Sequence, residues 1–253
     1  MGESRNRTHP GWRWLRSWSG RVFLVLMLAG SLLITVMSLE YFDFDSLPPF
    51  VIEKLPLRFQ NLWLGALRVH VAAAALGFPL CLALMTRALQ RRPRLHRWLG
   101  RICGVVLLFA LVPSGAVLSF EAKGGRVVTA GFLLSAAIIS LAMLAGVGAA
   151  RRRDLIAHAR AMRHVVAQMS VAVVSRALIV GLDAIGVDPA VAYVAALWGP
   201  VLFSATVVEL ISARPKLRAH HRTEQIERID REIFPRSLVV RALAVVRPRA
   251  RVR

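Results

Sequence analysis

Six runs of continuous apolar character divide the chain, at residues 22–39, 62–86, 102–120, 127–150, 165–185 and 190–212. Each is about the length a helix needs to cross a hydrocarbon layer, roughly 17 to 25 residues. In hydrocarbon a segment must satisfy its own backbone N–H and C=O groups, and these runs lack the alternation of a membrane barrel strand. The pattern predicts an all-α fold, a polytopic transmembrane helical bundle of six spans.

The polar intervals between the runs set an orientation. Arginine and lysine gather before the first run, in 87–101 (RALQRRPRLHRWLGR), in 151–163 (RRRDLIAHARAMR) and after Ala213, together 28 of the 34 basic residues. The other intervals hold Lys54, Arg58, Lys123 and Arg126 beside Glu40, Asp43, Asp45, Glu53, Glu121 and Asp188. By the positive-inside rule the basic intervals are cytoplasmic, so both termini are expected inside. The division is then a cytoplasmic basic N-terminus at 1–21, a six-helix domain at 22–212 and a basic cytoplasmic tail at 213–253. Arg13, Arg16 and Arg21 before the first run have the layout of a secretory signal. The run exceeds a usual signal core and ends in no A-x-A-like site, so it is expected to remain as a span.

Composition agrees with this reading. The chain has 253 residues, is 56% hydrophobic and carries a net charge of +20. Such a charge would ordinarily suggest nucleic-acid binding, but here the basic residues lie in short runs between spans. They point instead to the bilayer and its anionic head groups as partner. Cys81 and Cys103 lie in or at the edge of apolar runs with no C-x-x-C spacing, so no disulfide framework is expected. No P-loop, Rossmann, G-x-S-x-G or H-E-x-x-H pattern occurs, and neither a catalytic residue nor a metal site is expected. Aromatics in 40–61 (Tyr41, Phe42, Phe44, Phe50, Phe59) read as an interfacial belt anchoring the first two helices, with a lid as the alternative. In the tail, Ile226, Ile229 and Ile233 recur at helical spacing, and residues 236–253 are basic and apolar. This part suits an anionic leaflet, or else plain solvation.

Ionisable groups at membrane depth usually face a bundle interior or a cavity. Arg176 stands deep in the fifth run, and His70 lies at a comparable outer-half depth in the second. On a helical projection His164, Gln168, Ser175, Arg176 and Asp183 fall within about a third of the circumference. His70, Arg176, Gln168 and Ser175 are therefore the candidate ligand-binding residues. Interhelical hydrogen bonding is the competing account for Gln168 and Ser175. His96, His158 and His164 cluster at the cytoplasmic side and could offer two axial imidazoles to a haem b, whereas His70 has no second histidine on its side. Gly77, Pro79, Pro113, Gly115, Gly199 and Pro200 would kink helices or let them approach closely.

The stretch RVHVAAAALGFPLCLALMTRALQRRPRLHRWLGR and the later HARAMRHVVAQMSVAVVSRALIV resemble a family of bacterial predicted membrane proteins, domain of unknown function 2306. His70, Gly77, Pro79, Arg91 to Arg94, and His96, Arg97, Gly100 and Arg101 (HR-x-x-GR) match its first motif. His158, Met162, Arg163 and Arg176 match its second. The resemblance covers 62–185 and departs at Phe78 and Leu80 to Leu82, where the family has a more polar G-P-x-Q-like stretch. It implies that His70, His96, His158 and Arg176 act together, and it supplies no reaction. The expectation is a non-enzymatic inner-membrane protein, a small carrier or an accessory or assembly factor, with a polar intramembrane site around His70 and Arg176 and no required cofactor. The alternative is a redox protein holding haem b or quinone near the cytoplasmic-side histidines.

Overall fold

The structure is a computed structural model that describes residues 18–43, 49–57 and 59–233. The basic N-terminal segment 1–17 and the end of the tail, 234–253, lie outside the described residues. Every regular element among the described residues is helical. Six of these helices are long and apolar enough to cross a membrane: Trp18–Met37, Gln60–Met85, Pro93–Ser119, Gly125–Arg151, Leu155–Ala184 and Pro189–Ala213.

Helix α1 is Trp18–Met37; a 3-10 turn at Leu39–Phe42 and the one-turn α2, Pro49–Ile52, follow it. Helix α3 runs Gln60–Met85 with Pro79 inside it, and α4, Arg87–Gln90, is a single turn. The third span is compound: α5 (Pro93–Val105), a π-helical segment (Val106–Leu111) and α6 (Val112–Ser119). Helices α7 (Gly125–Arg151) and α8 (Leu155–Ala184) form the most extensive helix pair. Helix α9 spans Pro189–Ile233, and the chain divides within it into two compact units, 1–208 and 209–253.

Helix starts follow local chemistry. Pro93 occupies the first turn of α5, where a missing N–H costs nothing. The Asp154 carboxylate accepts the Ala157 N–H at 2.9 Å and caps α8. Asp188 accepts from Ala190 and Val191 at 3.0 and 3.1 Å and starts α9. Hydropathy put the third and fifth spans at 102 and 165; the helices begin earlier, at Pro93 and Leu155. Proline and the aspartate cap set helical hydrogen bonding in motion within the basic turns, where hydropathy sees only charge.

The side chains are arranged inside out relative to a soluble domain. Phe109 (76% exposed), Phe203, Val180 and Leu141 point outward. So extensive an apolar exterior fits lipid rather than water. The main core joins α1, α3, the third span, α7 and α8 through Met27, Phe78, Leu82, Leu107, Ile139, Met143 and Val165. A second cluster, Val128, Val171, Leu197 and Val201, joins α7, α8 and α9. A third lies under α2, where Val51 is wholly buried against Trp63 and Leu67.

Candidate functional site

The site is assembled where α3 meets the π-helical segment. Pro113 cannot donate an N–H to the Phe109 carbonyl, and its ring crowds that carbonyl. The wider π turn, with Val112 N–H bonded to the Leu107 carbonyl, relieves both. At its end the Leu111 carbonyl faces α3. His70 Nδ1 lies 3.2 Å from that carbonyl and 3.3 Å from Ser114 Oγ. Ser114 donates its own proton to the Ala110 and Leu111 carbonyls, at 2.5 and 3.1 Å. With both partners accepting, Nδ1 is assigned the proton, and Nε2 is left as the acceptor.

Glycines let the two spans approach closely enough for this. A Cβ at Gly115 would lie 3.0 Å from His70 Cε1 and 3.2 Å from Nδ1, and one at Gly77 would lie 2.9 Å from Leu107 Cδ2. Each helix thus receives a side chain of the other over a glycine. Leu107 is fully buried there.

Arg176 stands on α8, eight residues before Ala184 and so about 12 Å along the axis from that end. Its Nη1 donates to the Ala172 carbonyl one turn back, at 2.9 Å. Its charge acts on His70, on Tyr41 in the 3-10 turn, and on Tyr193 in the first turns of α9. The chain has two tyrosines, and both lie within electrostatic reach of this arginine. Outside the spans, Tyr41 is pushed up by burial and then by the Glu40 charge, with Arg176 opposing, so its phenol stays protonated and can donate. The Arg68 guanidinium holds the turn in place by donating to the carbonyls of Tyr41 (2.9 Å) and Asp43 (3.3 Å). Ser175 Oγ, beside Arg176, is buried with no hydrogen-bond partner.

Other members of the candidate set lie elsewhere. Gln168 is buried and knits three helices. Its Oε1 accepts from Ser135 Oγ at 2.9 Å, and its Nε2 donates to the Val201 carbonyl (3.1 Å) and Ser204 Oγ (3.0 Å). That arrangement is interhelical packing. At the arginine-rich end, His96 and His158 come within electrostatic reach of one another. His158 Nδ1 lies 2.9 Å from the Gly146 carbonyl, while His96 Nδ1 is buried with no hydrogen-bond partner. His164 lies six residues beyond His158, about 240° further round α8. The described residues contain no cluster of three or more His, Cys, Asp and Glu able to hold a metal. Shallow depressions lined by Leu57, Phe59 and Gln60, and by Ala88, Leu89 and Arg91, contain none of these side chains.

Sequence reasoning missed Ser114 and Tyr193; it read Gly115 as a close-packing residue, which the approach of His70 bears out, and Tyr41 only as part of an aromatic belt. The Pro113-Ser114-Gly115 run inside a span was the available signal for Ser114. The scarcity of tyrosine was the signal for Tyr193 and for a second role of Tyr41.

No curated protein and no solved structure shows a significant match to this chain. A family described as predicted membrane protein, domain of unknown function 2306, matches residues 67–212. The match continues through the sixth span, beyond the 62–185 core that the motifs delimit, and so takes in Tyr193 as well as His70 and Arg176. With more than half of its length covered, the chain belongs to the domain of unknown function 2306 family of predicted membrane proteins.

Proposed function

We propose that this protein is a small membrane carrier or accessory factor that binds an anionic amphiphile, a carboxylate on an apolar tail, in the layer of His70 and Arg176. One observation carries the reading. Arg176 is a cation in a spanning helix whose hydrogen bond goes to a carbonyl of its own helix, and the groups within its electrostatic reach are two phenols and an imidazole, with no ion pair to it among the described residues. An unpaired arginine near the middle of a span costs about 2.5–3.5 kcal/mol on insertion scales. A carboxylate held bidentately by the guanidinium offsets that cost. His70 Nε2 is left to take the proton of a weak acid, and the Tyr41 and Tyr193 hydroxyls can donate to the carboxylate. The apolar tail lies along the lipid-facing surface of α8. In this reading the protein sits in a bacterial inner membrane with both termini in the cytoplasm, and its arginine-rich end meets anionic head groups.

The test is equilibrium binding of dodecanoate to the full chain in zwitterionic nanodiscs. Arg176→Ala is expected to weaken binding at least tenfold, about 1.4 kcal/mol, with Arg176→Lys intermediate. Equal affinity in wild type and Arg176→Ala removes the proposal.

A second reading is favoured by the carbonyl on His158 Nδ1, with His96 within electrostatic reach of that ring. A backbone carbonyl on His158 Nδ1 is the usual way of leaving Nε2 able to ligate, and His96 would supply the second imidazole of a haem b, which brings one-electron chemistry to that end. A reduced-minus-oxidised spectrum of protein made with ample haem decides it: a stoichiometric haem band lost in His96→Ala supports this reading, and a flat spectrum ends it.

A further inference from the structure

The two cysteines of the chain lie 22 residues apart on different helices, Cys81 on α3 and Cys103 on α5, yet their Sγ atoms are 3.2 Å apart. Both are reduced, and both are buried in the main core, at 4% and 2% exposure. We propose that Cys81 and Cys103 form a dithiol–disulfide redox site within the membrane, oxidised by a lipid-soluble two-electron acceptor of the benzoquinone class. This does not rest on the His70–Arg176 reading.

Three features support it. An S–S bond needs about 2.05 Å, so closure by about an ångström joins the pair, and the flexible Met85 and Met143 in the same cluster can adjust around it. Cys103 is the second residue after the basic turn that ends at Arg101, and Cys81 lies four residues before the end of α3, so both thiols sit near the edge of the apolar layer. Ile102 and Val105, flanking Cys103, face outward at 37% and 58% exposure. The pair is therefore about one side chain from lipid, where an apolar oxidant dissolves and an ionic one does not. The step balances without further reactants: both S–H bonds break, one S–S bond forms, and two electrons and two protons pass to the quinone oxygens to give the hydroquinone. The disulfide then links the second and third spans, four residues from the Gly77–Leu107 contact.

The test uses the reduced full chain in nanodiscs, without oxygen, treated with tetramethyl-benzoquinone, whose substituted ring resists thiol addition. Denatured samples are labelled with maleimide and weighed intact. The expected result is loss of both labels together, a mass lower by two hydrogens, one equivalent of hydroquinone, a monomer on non-reducing gels, and recovery of both labels with dithiothreitol. Cys81→Ser should retain its single label and form no hydroquinone. Persistence of both labels in the wild-type chain overturns the proposal, as does loss of only one or a disulfide-linked dimer, and this arm needs no variant to fold.

Discussion

An arginine inside a bilayer needs water, an anion or a carbonyl, and Arg176 has one carbonyl of its own helix. Its neighbours were only half legible beforehand. Arg176 and His70 stand out in a sequence because charge is rare at that depth, whereas the Leu111 carbonyl that orients His70 exists only because a π turn re-aims the backbone. Gly115 shows how tightly the ring is held. Gly115→Val is expected to displace His70, cost about 1–3 kcal/mol of stability through overpacking, and weaken dodecanoate binding in parallel. Gly100→Ala, at a helical glycine whose Cβ would meet nothing within 4 Å, should raise stability by up to about 1 kcal/mol and leave binding unchanged. Comparing melting in detergent with affinity for the two variants separates the roles. Gln168 illustrates the opposite lesson: the helical projection places it in one stripe with Arg176, but three interhelical hydrogen bonds assign it to packing. Periodicity reports which face a residue occupies and says nothing of what meets that face.

At the scale of elements, the segment between the first two spans is more than an aromatic belt. Val51 of α2 is buried against Trp63 and Leu67, the Lys54 ammonium reaches the Glu121 carbonyl and lies 5.6 Å from the Trp63 ring, and Lys123 pairs with Glu53. These contacts strap α2 to the turn between α6 and α7. The Lys123 ammonium holds the Glu53 carboxyl below its usual range, first by hydrogen bonding and then by charge. A depressed acid supports the folded strap above its unfolded value, about 4.3, and that support is lost as pH falls through the lower folded value. Hydrogen exchange across 51–55, relative to intrinsic rates, should therefore accelerate below about pH 4. Lys123→Ala should show the acceleration already at neutral pH, and unchanged protection in both would show that the pair is only a surface contact. The pairing itself was beyond sequence reasoning, because it joins residues 70 apart through the placement of whole helices.

For the whole molecule, the number and kind of spans were legible because hydrocarbon imposes a length and forbids unpaired backbone. Helix order was not: the meeting of α3 with the third span, and of α9 with α7 and α8, depends on close approaches at Gly77, Gly115 and Gly131 that hydropathy does not weigh. Charge distribution supplies an expected orientation. In a chain whose two native cysteines are replaced by alanine, a single cysteine at Lys123 should react with a membrane-impermeant maleimide in intact cells, and one at Arg91 only after lysis. The reverse would invert the topology and move the His70–Arg176 layer to the cytoplasmic half.

The central claim, an anion site between helices at Arg176, is tested most directly by photo-crosslinking. A diazirine placed near the carboxylate of dodecanoate is activated on the full chain in zwitterionic nanodiscs, and the adducts are mapped by peptide mass spectrometry. The account predicts adducts on α8 around Arg176, on α9 around Tyr193 and on the Pro113–Gly115 stretch, all lost in Arg176→Ala. Adducts concentrated at the His96 and His158 end, or unaffected by Arg176→Ala, would contradict it.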